Sequence, residues 1–215
     1  MRNNTFLITL CFIIGFTACT PDKKQNEQDE KALASVSQSF EYQSSFTTLT
    51  WTAFKTTARK GVRGTFKEFQ ATPGKAGSVK DILLNLQFNI NTSSTDSKEA
   101  DRDAKIVKYF FGTMMNTNNI IGSITSVDGT DSSGKARVSI TMNEVTHEVD
   151  ANYELEGTLL RLKTTIALGD WKAEPSVSAL NKICDDLHKG DDGVSKLWPE
   201  VDIMVESILK VSAPI

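Results

Sequence analysis

The sequence predicts an all-β domain with minor helices, in which eight largely antiparallel strands close into a barrel and one or two amphipathic helices lie at its mouth. Three observations predict it. From Thr47 onward apolar and polar residues alternate with period two, the mark of strands with one wet and one buried face. Clusters of Gly, Pro, Asp and Ser punctuate the alternation at turn spacing. Only two stretches depart from period two, and both take up the three-to-four spacing of a helix. The chain of 215 residues, 39% of them hydrophobic, supplies one sizeable core and hardly two.

The first segment reads as an address. Met1 to Cys19, MRNNTFLITLCFIIGFTAC, has a short start bearing Arg2 and an apolar run from Phe6 to Ala18 that is too short to cross a bilayer comfortably. Residues 1–18 are therefore expected to be a secretory signal peptide. Thr17 and Ala18 stand immediately before Cys19, and this resembles the lipobox of bacterial lipoproteins, with Phe16 where that pattern prefers Leu. The resemblance implies cleavage before Cys19 and acylation of that cysteine. The implied address is the cell envelope, on the periplasmic face or the outer membrane. Two or more acyl chains suffice for stable anchoring, since each buried methylene contributes about 0.8 kcal/mol. An ordinary signal peptide is the alternative reading. The stretch from residue 19 to 45 is rich in Lys, Asp, Glu, Gln and Ser, and it is expected to be a flexible tether, with a short helix within Glu27–Gln38 as the competing reading.

The domain proper is expected over residues 46–211. Its strands are read at Leu49/Trp51/Ala53, Val62/Gly64/Phe66, Lys80 to Ile90, Ile120 to Val127, Val138/Ile140/Met142, Val149 to Leu155, Leu160 to Leu168 and Val201/Ile203/Val205. The clearest is Lys80 to Ile90, where Ile82, Leu84, Leu86, Phe88 and Ile90 share one face. Eight strands with one apolar face each bury those faces most simply by closing on themselves, although a two-sheet sandwich has the same strand arithmetic. Asp96 and Glu99 have the spacing of a capping box, ahead of Ile106, Phe110 and Met114 at helical intervals. Val177, Leu180, Cys184 and Leu187 predict a second amphipathic helix, which Gly190 would stop.

Three segments resemble a known family. Val62 to Phe69, read as V-R-G-T-F-K-E-F, is similar to the V-R-G-x-F-x-E-F segment of the YceI-like family of secreted, polyisoprenoid-binding, lipocalin-like barrels. Thr95 to Phe111 resembles the family's charged run that leads to a Phe-Phe pair. Ile140 to Thr146 resembles its strand, G-V-T turn, strand hairpin, with Glu144 in place of the glycine. The resemblance spans roughly Phe40 to Leu209. The chain departs from it at Tyr42 to Ser45, which lacks the family's histidine, at His147, and in a long insert from Asp170 to Trp198.

What the resemblance implies is an isoprenoid or similar amphiphilic lipid held in an apolar tunnel, without catalysis and without a cofactor. The inward phase of the strands nominates Trp51, Phe66, Leu84, Leu86, Phe88, Ile140, Tyr153, Leu162 and Ile166 as lining, with Phe110 and Phe111 near the mouth. The same residues equally suit a closed core, because core and tunnel lining share one composition. A lipid-anchored interaction module with a filled barrel is therefore the competing function.

Other classes find little support. The balance of 24 basic against 27 acidic residues disfavours a nucleic-acid partner. Three cysteines and two histidines are too few for a disulfide scaffold or a zinc cluster. An enzymatic reading would rest on Asp185, Asp186 and His188 with Asp191 and Asp192, which also suit a solvated helix end. Oligomeric state is not encoded in any of these patterns.

Overall fold

The computed structural model describes residues 38–212. The expected signal peptide, Cys19 and most of the expected tether lie outside the described residues. The strands are β1 (Ser39–Glu41), β2 (Thr47–Lys55), β3 (Lys60–Phe66), β4 (Phe69–Thr72), β5 (Gln87–Asn91), β6 (Thr95–Asp96), β7 (Asn119–Gly129), β8 (Ser133–Met142), β9 (Val145–Glu156), β10 (Leu159–Ala167), β11 (Leu197–Ile208) and β12 (Lys210–Ser212). Among the described residues four α-helical segments accompany them: α1 (Val79–Leu83), α2 (Ala100–Lys105), α3 (Glu174–Ile183) and α4 (Asp185–His188).

Ten strands form one antiparallel sheet in the order β4-β5-β7-β8-β9-β10-β11-β2-β3-β6, and β1 pairs with β12 in a second, small sheet. The chain itself joins the ends of the large sheet. Only Lys67 and Glu68 separate β3 from β4, and a 3-10 turn at Thr92–Ser94 separates β5 from β6. Across this gap the amide of Lys67 donates to the Ser94 carbonyl (3.0 Å) and that of Asn91 to the Glu68 carbonyl (3.0 Å). One bent strand, β3–β4, therefore pairs with β2 in its first half and with β5 in its second. Counting the two bent strands once each leaves eight around a curled wall, and closure of this kind removes exposed edges.

Closing the wall crowds its interior, and three glycines relieve the crowding. Trp51 pairs with Gly64, Phe88 with Gly122 and Tyr153 with Gly134 on neighbouring strands. A Cβ on Gly64 would stand 2.6 Å from Trp51 Cε2, on Gly122 2.9 Å from Phe88 Cε1, and on Gly134 2.8 Å from Tyr153 Cε1. Each ring thus occupies the space a neighbouring side chain would need, a pairing of large aromatic with glycine that pins register.

Two buried clusters form the ends of the barrel. One joins Phe40, Val79, Ile82, Leu83 and Leu209 to Tyr153 and Leu160 of the wall. The other joins Phe111, Met114, Trp171, Ala173 and Val177 to Met142 and Ile166.

Several expectations are corrected. The segment from Lys80 is not a strand until Gln87, because Ser78 and Asp81 form a capping box and Val79, Ile82 and Leu83 bury one helical face at the barrel end. Asn85 follows that turn at φ +65°, the left-handed residue that ends it. Asp96 does not cap a helix. It lies in β6, and its carboxylate accepts from the Lys98 amide and ammonium, both at 2.9 Å. The helix begins at Ala100, where Asp103 instead accepts from the Ser97 amide (2.9 Å). It continues through a π-turn at Ile106–Phe110.

The second helix breaks at Cys184, so Leu187 leaves the shared face and is 58% exposed. The folded unit also begins before residue 46. Phe40 is buried and exchanges both backbone hydrogen bonds with Gly77 (2.7 and 3.0 Å), which makes residues 39–41 part of the domain. At the hairpin after β8, Asn143 and Glu144 both take positive φ (50° and 59°), the geometry of a type I′ turn with glutamate in the position that favours glycine.

Candidate functional site

Between the two end clusters lies a cavity of about 230 Å³. Its wall is built from the inward positions of consecutive strands: Leu49, Trp51 and Ala53 on β2, Ile120 and Ile124 on β7, Val138, Ile140 and Met142 on β8, and Val201, Ile203 and Val205 on β11. Period two decides this membership, since successive side chains of a strand point to opposite faces. The helices complete the enclosure. Ile82 and Leu83 of α1 reach it at one end, and Ile106, Phe110 and Phe111 with Val177 and Leu180 of α3 reach it at the other.

Nine of the eleven nominated residues line this space: Trp51, Phe66, Leu86, Phe88, Phe110, Phe111, Ile140, Leu162 and Ile166. Leu84 does not, because it ends α1 and packs half-buried against the end cluster. Nor does Tyr153, which packs into the end cluster with Phe40, Ile82 and Leu209 and whose hydroxyl donates to the Thr130 carbonyl (2.6 Å). Phe66, Phe110 and Phe111 form an aromatic corner, with centroids 6.2 Å apart for Phe66 and Phe111 and 4.9 Å for Phe110 and Phe111. The latter pair meets edge to face, a favoured arrangement.

Among the lining residues that were not nominated are Ile82, Leu83, Thr95, Val177 and Leu180. A signal existed for the first two. Ser78 and Asp81 have capping-box spacing, and Val79, Ile82 and Leu83 follow the i, i+3, i+4 rule.

Apart from Lys163 of β10, charge collects around the space and not along its length. The inward series of β2 continues past Ala53 to Lys55, whose ammonium donates to the Leu187 carbonyl (2.7 Å). Burial holds this lysine below its ordinary value, and the nearby charges of Lys60 and Arg102 add to the effect. Cys184 is buried beside it, and desolvation pushes its thiol up, which suits a packed side chain better than a nucleophile. The acidic group considered for catalysis does not converge. Asp185 and Asp186 both pair with Lys189, Asp192 accepts from Thr57 (2.6 Å), and His188 bonds Asn181 (2.7 Å). His147 is exposed on β9, 3.6 Å from Asp170.

Asp96 clamps the wall where the sheet closes. Its carboxyl is held down at about 2, first by the Lys98 ammonium, then by the Lys98 amide and the Lys67 ammonium (3.3 Å). A carboxyl depressed in the folded state stabilises the fold in full above its ordinary value of 3.8, and that contribution is lost as pH falls through about 2. The urea midpoint of the parent protein is thus expected to fall more steeply between pH 5 and pH 2 than that of Asp96→Asn. Parallel pH profiles for the two proteins would contradict the clamp.

A sequence profile of the YceI-like domain matches residues 39–206, most of the chain. The chain belongs to the YceI-like family. No curated protein matches it. The fold of this YceI-like chain is similar to that of a polyisoprenoid-binding domain from Saccharophagus degradans, at 13% identity and a TM-score of 0.55 over 83% of this chain and 100% of that one. It is also similar to BcnA of Burkholderia cenocepacia, with 10% identity, a TM-score of 0.54, and coverage of 80% and 100%. A Campylobacter jejuni YCEI protein, solved as a variant with a monobromobimane guest, matches at 14% identity and a TM-score of 0.52 over 72% and 86%. At these identities the likeness is one of fold, and the YceI-like barrel, mostly antiparallel with few helices, is what the four share.

Proposed function

We propose that this YceI-like chain binds a long-chain isoprenoid or a similar amphiphilic lipid in its barrel, as a non-catalytic carrier in the bacterial cell envelope. The observation that carries the reading is the apolar cavity of about 230 Å³, continuous from α1 to α3. A closed core would fill that space, since protein interiors otherwise pack to crystal-like density. An apolar chain gains free energy there by leaving water and needs no charged partner along its length. The Saccharophagus degradans domain of similar fold, described as polyisoprenoid-binding, supports this choice of ligand class. The rival reading, an interaction module with a filled barrel, does not account for the cavity.

Mass spectrometry of an organic extract of the purified protein is expected to reveal an isoprenoid or comparable amphiphile. Leu162→Trp, which places an indole in the cavity, should remove it from the extract while leaving the β circular-dichroism signature. Extracts free of lipid from both proteins would refute the carrier.

The envelope address rests on Cys19. Fatty-acid labelling in cells is expected to tag the chain, and Cys19→Ala is expected to abolish both the label and partition into the detergent phase. Persistence of that partition in the variant would refute the anchor.

A further inference from the structure

The cavity wall is apolar except at a few polar side chains, and three of those, Tyr42, Trp51 and Thr95, hold a buried polar atom without a partner among the described residues; Tyr42 stands alone against the end cluster of Phe40 and Leu209. Trp51 is 7% exposed and Thr95 6%, and both line the cavity. Neither Trp51 Nε1 nor Thr95 Oγ1 has a hydrogen-bond partner among the described residues. The other two tryptophans are satisfied: Trp171 donates to the Ile140 carbonyl (3.0 Å) and Trp198 to the Thr56 carbonyl (2.8 Å).

Two of the three, Trp51 and Thr95, share one stretch of wall. Trp51 reaches across Gly64 on β3, and its ring edge comes near the place where β3 meets β6. Thr95 belongs to β6 and pairs with Phe66, two positions along the same strand from Gly64. A glycine at 64 is what lets the indole extend that far, since any Cβ there would occupy its place.

Buried donors without partners are uncommon in folded proteins, and each calls for a water or a ligand to complete it. An indole N–H can only donate, whereas a threonine hydroxyl donates or accepts. We propose that Trp51 Nε1 and Thr95 Oγ1 form an oxygen-recognition site inside the barrel, which receives a neutral hydrogen-bond-accepting oxygen, hydroxyl, ether or carbonyl, of the bound lipid. This rests on the carrier reading above and adds where the polar end of the ligand lies. A charged head at that depth would leave water to sit beside Phe66 and Ile90, which is far more costly than burying a neutral oxygen. The cationic surroundings of Lys55 are not needed for it.

The test compares two probes with one carbon skeleton, farnesol and the hydrocarbon farnesene, titrated into the lipid-stripped protein. Farnesol is expected to bind about tenfold more tightly, the ratio that one buried hydrogen bond supplies. Thr95→Val and Trp51→Phe are each expected to narrow that ratio toward unity. In a nitrogen-15 spectrum the chain's three indoles give three side-chain signals. The one lost in Trp51→Phe is expected to move downfield with farnesol and to stay with farnesene, while those of Trp171 and Trp198 hold still.

Equal affinity for the two probes, with no movement of the Trp51 signal, would overturn the oxygen site and leave the carrier intact. A Trp51 signal already downfield before any probe is added, and indifferent to farnesol, would mean a bound water only and would equally overturn it. Binding of neither probe would instead sink the carrier reading on which the site depends.

Discussion

Gly64→Ala is expected to destabilise the protein by about 3 kcal/mol, the upper part of the range for forcing extra atoms into a packed interior. The new methyl would stand 2.6 Å from Trp51 Cε2 and 3.0 Å from the Asp96 carbonyl oxygen. Neither neighbour yields easily. The carbonyl belongs to the β3–β6 ladder, and the indole can move only into the cavity it lines. Lipid content should therefore fall together with stability. Gly61→Ala on the same strand is the control, because its nearest neighbour there, Thr52 Cγ2, is 3.3 Å away and on a side chain. Urea denaturation of both variants checks the contrast. In the Gly64→Ala background, Trp51→Leu is expected to cost much less than it does alone, since the two positions are in contact and their effects are not additive. Additive losses would show that the indole does not depend on the glycine.

Trp171→Ala is expected to cost about 4 kcal/mol, in the range found for truncating large buried aromatics. The side chain is fully buried at the centre of the cluster that holds Phe111, Met114, Met142 and Val177 together. It ties the 3-10 turn after β10 to the wall through Nε1 and the Ile140 carbonyl (3.0 Å). Its own carbonyl accepts from Asn143 Nδ2 (2.9 Å), which couples the β8–β9 turn to the same spot. Trp171→Phe keeps most of the bulk and loses the indole hydrogen bond, so it should cost nearer 1.5 kcal/mol. Equal midpoints for the alanine and phenylalanine variants would show that burial at this position contributes little.

Much of the barrel is legible along the chain. Alternation at Leu49, Trp51 and Ala53, or at Val138, Ile140 and Met142, assigns strand and inward face together because both follow from the local geometry of an extended chain. Nine of the eleven nominated residues line the cavity for that reason. The two that do not reveal where local reading ends. Leu84 alternates as well as any residue around it, yet the Ser78–Asp81 capping box and the burial of Val79, Ile82 and Leu83 favour a helical turn there. Tyr153 has the inward phase of β9 but lies at the level of the end cluster of Phe40, Ile82 and Leu209, and no reading of one strand shows which segments cap it there.

What the sequence by itself determined is therefore the strand identities, the sidedness of each and the place of the family's segments in the chain. Only the tertiary structure decided that β3–β4 bends to join both ends of the sheet, that three glycines make room for three rings, and that two end clusters leave about 230 Å³ between them. The physical reason is one of range. Side-chain direction is set by neighbours one or two residues away, whereas an interior volume is the difference between the space that closure encloses and the atoms contributed to it by residues more than a hundred positions apart.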